Sequence, residues 1–277
     1  MIFTFRDLFK DHPWRISAAL FCVAFGVFLS IQLIPGIPDP DSFYHIAMAQ
    51  EIRDHGVVKD FYWLGDFTVL GGTYADQHFL YHVFLIPFVT FLPPFVGAKL
   101  ATAILASLSI VVVYLLFRAL EVRWAAWVAA LLLLVNPYTF RMGLIKAPSL
   151  GVIGVFLLLL FAARRRFAAL FVASACFVWA YGAFPLAFGA VGLYALTQGV
   201  ASWKTHGRRK ISRRSRLKRL WRNEGRLVIC SFLGIIAGLV SSPYFPKNLR
   251  FYWIQTIQIA VVNFRGTIGV GGEWYPY

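Results

Sequence analysis

Apolar residues along this chain come in long blocks, without the strict alternation of a half-buried strand. The blocks cover about 16–34, 97–117, 124–137, 148–163, 168–183, 185–201 and 227–243. Each approaches the roughly 20 mostly apolar residues that a helix needs to cross ~30 Å of hydrocarbon, and tilt or snorkelling ends accommodate the shorter ones. The pattern predicts an all-α polytopic membrane protein of about seven transmembrane helices. An eighth apolar stretch, Phe79 to Leu92, carries Pro87 and runs into Pro93-Pro94, so an interfacial or re-entrant helix is expected there. The long first loop, 35–96, should hold a second interfacial helix. In "SFYHIAMAQEIRDHG" the spacing of Phe43, Ile46, Ala47 and Ala49 to Ile52 is helical, and Gly56 stops it.

Composition agrees with the blocks: 59% of residues are hydrophobic and only 14% are charged, which excludes an ordinary soluble domain. The first block follows an Arg/Lys-bearing start and lacks a small-residue cleavage site, so it reads as a retained signal anchor. Cys22, Cys176 and Cys230 fall inside predicted spans without CxxC spacing, where packing is their expected role. With seven spans, 19 of the 27 basic residues share one side, eleven of them in the loop 202–226; the positive-inside rule makes that side cytoplasmic. Topology and anionic headgroups therefore account for the net charge of +15 without nucleic acid. Seven of the twelve acids lie in the opposite, external loop 35–96. An aromatic, acidic layer at that boundary suits a lipid-borne substrate with a polar head.

Two carboxylates, Asp39 and Asp41, flank Pro40 where the first block ends. Asp41 precedes the helical stretch and is expected as its N-cap, worth about 1 kcal/mol. Capping leaves Asp39 unexplained, and two neighbouring carboxylates can also hold a divalent cation or share a proton. His45, one helical turn after Asp41, is suited to holding that carboxylate or binding a phosphate. In the second cluster, Asp76, His78 and His82, a helix would put both histidines on one face near the acid, as metal ligands or as polar anchors at the interface. The loop "NPYTFRMGLIKAPS" brings Arg141 and Lys146 and no acid. Cations on the external side run against the topological bias, and either lipid-carrier phosphates or headgroups would occupy them. The turn "VWAYGAFP", 178–185, presents Trp179 and Tyr181, which also fit an interfacial aromatic belt. The spans offer no ionisable residue to couple transport.

Together these pieces resemble the GT-C superfamily of membrane glycosyltransferases, most closely the catalytic subunit of oligosaccharyltransferases. The resemblance rests on "DPDSFYH", an acid-x-acid motif opening the first external loop ahead of an interfacial helix, on the order of the following spans, and on "VWAYGAFP", which is similar to the family's Trp-Gly-Tyr region. It implies a transmembrane module over 1–243 and an external C-terminal segment, 244–277, short of the family's soluble domain. It also implies transfer of a sugar from a polyprenyl-phosphate or -pyrophosphate carrier to an acceptor protein or glycan on the external, periplasmic-type face. Asp41, matching the essential carboxylate, would activate the acceptor with Asp39 in support. Arg141, Lys146, His45, Trp179 and Tyr181 would bind substrate, and Asp39, Asp41, Asp76 and His78 would hold Mg or Mn. The family's second acidic motif is absent from "RMGLIKAPS". That absence leaves open a non-catalytic membrane subunit working beside a partner chain.

Overall fold

The computed structural model describes residues 13–60, 72–207, 214–215, 221–259 and 261–262; Asp66, the basic residues Arg6 and Lys10, much of the basic loop and the Gly-rich tail with Glu273 lie outside them. The described fold is all-helical. In chain order the helices are α1 (Pro13–Gln32), α2 (Asp41–His55), α3 (Phe79–Phe91), α4 (Pro94–Ala119), α5 (Ala125–Leu131), α6 (Asn136–Gly143), α7 (Pro148–Ala163), α8 (Phe167–Ala180), α9 (Phe184–Gly207), α10 (Arg226–Val240) and α11 (Lys247–Trp253).

A helix stands at each of the seven apolar blocks, but fewer than seven are long enough to span. Among the described residues four have the length and composition to cross a membrane: α1, α4, α9 and the run Trp221–Val240 that contains α10. The third block breaks. Val135 is extended, Pro137 occupies the first turn of a new helix, and the two pieces meet at 77°; counted as one broken span they make a fifth. The apolar helices α7 and α8 have only 16 and 14 residues. These helices mark the chain as a membrane protein.

Helix α4 forms the centre, with 67% of its apolar window buried against 17% for α1. Its inner face carries small residues (Ala98, Ala101, Ala103, Ala106, Ser107), which let neighbouring backbones approach. Gly97 packs against the Phe88 carbonyl of α3, where a Cβ would collide with backbone. Helices α8 and α10 meet equally closely: Gly234 and Gly238 lie on the carbonyls of Phe171 and Ala175, and the Ser174 and Ser231 hydroxyls are 3.1 Å apart.

Long-range hydrogen bonds gather alternate helix ends. At one end the Gln32 amide donates to the Gly143 carbonyl (2.6 Å), Lys99 donates to the Ile34 carbonyl (2.8 Å), and Trp179 Nε1 donates to the Gly238 carbonyl (2.7 Å). These bonds tie the end of α1 to the last turn of α6 and the second turn of α4, and the last turn of α8 to that of α10. At the opposite end Arg165, in the turn between α7 and α8, forms a two-pronged ion pair with Glu224 (2.7 and 2.8 Å) just before α10.

Candidate functional site

The carboxylate pair sits at the first of these ends. Asp41 is not the cap expected from its position. Pro40 occupies the N-cap of α2, and Asp39 Oδ1 accepts the Asp41 backbone N–H at 2.9 Å, satisfying one of the orphan donors of the first turn. The acid that seemed unexplained therefore has the capping role, and the Asp41 side chain is released from it. The predicted stop holds: Gly56 ends α2 at φ 78°, and its N–H bonds to the Ile52 carbonyl.

Lys146 closes the pair. Its Nζ lies 2.9 Å from Asp39 Oδ2 and 2.8 Å from Asp41 Oδ2. The short connection between α6 and α7 delivers it, with Leu144, Ile145 and Ala147 buried on either side, so the lysine is fixed by its neighbours' packing. Burial opposes its charge, but the hydrogen bonds to Asp41 and Asp39 outweigh that and raise its pKa above the ordinary lysine value. Asp39 has committed both oxygens, and its side chain is 19% exposed. Asp41 has committed one, and at 60% exposed it keeps Oδ1 open. Of Lys146's three N–H donors, one is left. Arg141, the other expected cation, is exposed on α6 and makes no ion pair among the described residues.

Beside this cluster runs a buried polar chain that the sequence showed only as separate spacings. Asp76 Oδ1 accepts the His78 backbone N–H (2.9 Å), and its Oδ2 bonds His82 Nδ1 (2.6 Å). His82 Nε2 in turn meets His45 Nδ1 at 2.7 Å. Asp76 and His45 are 5% exposed and His82 is fully buried. Burial, reinforced by the fields of His82, His78 and Lys146, lowers the His45 pKa to about 2. Burial thus disfavours the charged imidazole, and His45 turns its Nδ1 to His82. The Tyr44 hydroxyl lies 3.1 Å from that of Tyr74, and burial pushes both phenols well above their usual pKa.

The two histidines of the second cluster do not share a helix face. His78 is the N-cap of α3, and only His82 lies within the helix. Burial lowers the His78 pKa to about 4; its Nδ1 is buried without a partner, and the Tyr181 ring lies over it at 5.4 Å. Gly182 packs directly on the Gln77 side chain, so the 178–185 turn is seated on the 76–78 loop. Tyr181 thus borders the polar chain, whereas Trp179 is held in packing by Phe79 and the Gly238 carbonyl.

The residues expected as metal ligands fall into two groups. Lys146 bridges Asp39 and Asp41, offsetting one of their two charges, and Asp76 has both oxygens engaged. Among the described residues no group of three or more His, Cys, Asp or Glu side chains is placed to hold a metal ion. A divalent cation at the carboxylate pair would compete with Lys146 for the same oxygens. The donor set here fits a lysine-bridged pair instead. No protein-family model, curated protein or solved structure matches the chain.

Proposed function

We propose that the protein transfers a sugar or oligosaccharide from a polyprenyl phosphate or pyrophosphate to an acceptor at the external face of the membrane. One observation carries this reading: Asp41 keeps one free carboxylate oxygen beside a lysine that keeps one free N–H, where the ends of several apolar helices meet. That is an adjacent proton acceptor and phosphate-binding cation, within reach of a donor whose lipid tail lies among the helices. The acceptor's O–H or N–H hydrogen-bonds to Asp41 Oδ1 and gives up its proton as the heteroatom attacks the anomeric carbon. The bond from that carbon to the phosphate oxygen breaks, and the phosphate departs with the electron pair towards Lys146, with Arg141 as a second, outer cation. A positioned base supplies about 10²–10⁴-fold and a preorganised donor at developing charge about 10²–10³-fold.

The test is turnover of a labelled polyprenyl-linked sugar in proteoliposomes. Asp41→Asn and Lys146→Ala should each lose at least ~100-fold while remaining folded. Activity retained in Asp41→Ala rejects the assignment. A wild-type protein that neither binds nor turns over any such donor leaves the non-catalytic membrane subunit as the reading.

A further inference from the structure

We propose that the groove between α9 and the start of α10 holds an acyl chain of one anionic phospholipid, whose phosphate rests on Lys204 and Arg222. The proposal stands apart from sugar transfer, because this groove lies in the layer of the Arg165–Glu224 pair and not in that of Asp41.

The groove forms where large side chains give way to small ones. Phe188 of α9 and Phe232 of α10 meet with ring centroids 6.0 Å apart. From one turn further along α9, Gly192, Ala195 and Gly199 face Gly225 and Val228 across a cavity of about 520 Å³, which ends at Trp203 and Trp221. A Cβ added at Gly192 would meet nothing within 4 Å. The volume falls within the ~300–1,000 Å³ of small-molecule sites. The length fits as well: from Gly192 to Trp203 the helix rises about 17 Å, close to the ~15 Å that one leaflet contributes to the hydrocarbon core.

The mouth of the groove selects the headgroup. Trp203 and Trp221 are rings of the kind that settle at headgroup level. Next to them in the chain stand Lys204 and Arg222, both exposed and without an ion pair among the described residues. Glu224, the acid that lines the groove, is already taken by Arg165. Residues 202–226 carry eleven Lys/Arg against that single acid. A phosphodiester is complementary to such a rim, as in other basic pockets between membrane helices. A second copy of the chain is not, since two segments of this charge brought face to face repel each other.

Native mass spectrometry of the delipidated full chain, titrated with equal dioleoyl phosphatidylglycerol and dioleoyl phosphatidylcholine, tests the proposal. The wild-type chain should retain one phosphatidylglycerol in preference to phosphatidylcholine. Gly192→Leu, which fills the groove without touching its neighbours' backbone, should abolish that retention with helix content and melting temperature unchanged. Lys204→Gln combined with Arg222→Gln should lower the preference for phosphatidylglycerol by about 5-fold per cation lost. Both of these side chains are exposed, so this variant decides the matter even if Gly192→Leu fails to fold. Equal retention of the two lipids by the wild type, retention unchanged in folded Gly192→Leu, or a preference unchanged in the double variant overturns the proposal. A wild-type dimer that Gly192→Leu dissociates also overturns it, by giving the groove to a second copy.

Discussion

At the scale of single residues, the division of labour between Asp39 and Asp41 follows from counting oxygens. Asp39 spends one on the first turn of α2 and one on Lys146; Asp41 spends only one. Asp39→Ala should therefore lower thermal stability by about 1 kcal/mol, as loss of a helix cap does. Asp41→Asn should leave the melting temperature in detergent nearly unchanged and remove activity. Acid sensitivity belongs to this scale too. His45 and His78 are held neutral, to about 2 and about 4, whereas an unfolded histidine titrates near 6.5. Below ~6.5 the unfolded chain takes up protons that the folded one refuses, so stability falls as pH drops, by about 1.4 kcal/mol per pH unit for each histidine. The loss from His78 should level off near its folded value of about 4. Melting scans between pH 7.5 and 5 should show this decline, and His45→Phe should flatten it; equal slopes in the two proteins would count against a neutral buried His45.

Among elements, the closest approach is between α8 and α10. Gly234 and Gly238, four residues apart, both rest on α8 carbonyls, as small residues do where helices must pack without a water-driven hydrophobic force between them. Gly238→Leu should force these helices apart and destabilise by ~1–3 kcal/mol, the usual cost of overpacking. The change would read out as a lower melting temperature and as loss of the Trp179 to Gly238 hydrogen bond, visible in tryptophan fluorescence. The turn 178–185 presses Gly182 on Gln77, and Gln77 lies between Asp76 and His78. Gly182→Val should disturb the polar chain at a distance, lowering activity more than stability. An effect on stability alone would show that the turn only packs.

For the whole molecule, alternate helix ends meet in two layers, with the carboxylate–lysine cluster and the histidine chain in one and the Arg165–Glu224 pair in the other. Arg118, Arg164, Arg165 and Arg166 stand at the ends of α4 and α7 on the second layer. The charge bias expected of a membrane protein thus coincides with the helix geometry. A membrane-impermeant maleimide should label Glu51→Cys on intact cells and leave Arg164→Cys unlabelled until the membrane is opened. The reverse pattern would place the site in the cytoplasm. The native cysteines Cys22, Cys176 and Cys230 lie on spanning or apolar helices and should stay unreactive in the bilayer.

Helices were legible in the sequence because their apolar blocks are local: α1, α2, α4, α9 and α10 each fall where the pattern put them, and Gly56 ends α2 as its position implies. The candidate site was legible as a set of residue types. Asp39, Asp41, Lys146, Asp76, His45 and Tyr181 all lie in or beside it, and Trp179 and Arg141 stand off from its hydrogen bonds. What hydropathy could not decide was span number, since the break at Asn136-Pro137 and the shortness of α7 and α8 depend on where helices end against their neighbours. Pairing was equally out of reach. That Lys146 meets the two carboxylates, and that His82 joins Asp76 to His45, brings together side chains up to 107 positions apart in the chain. Helix periodicity reaches only three or four residues, whereas those contacts are set by which helix ends the packing of α4 draws together.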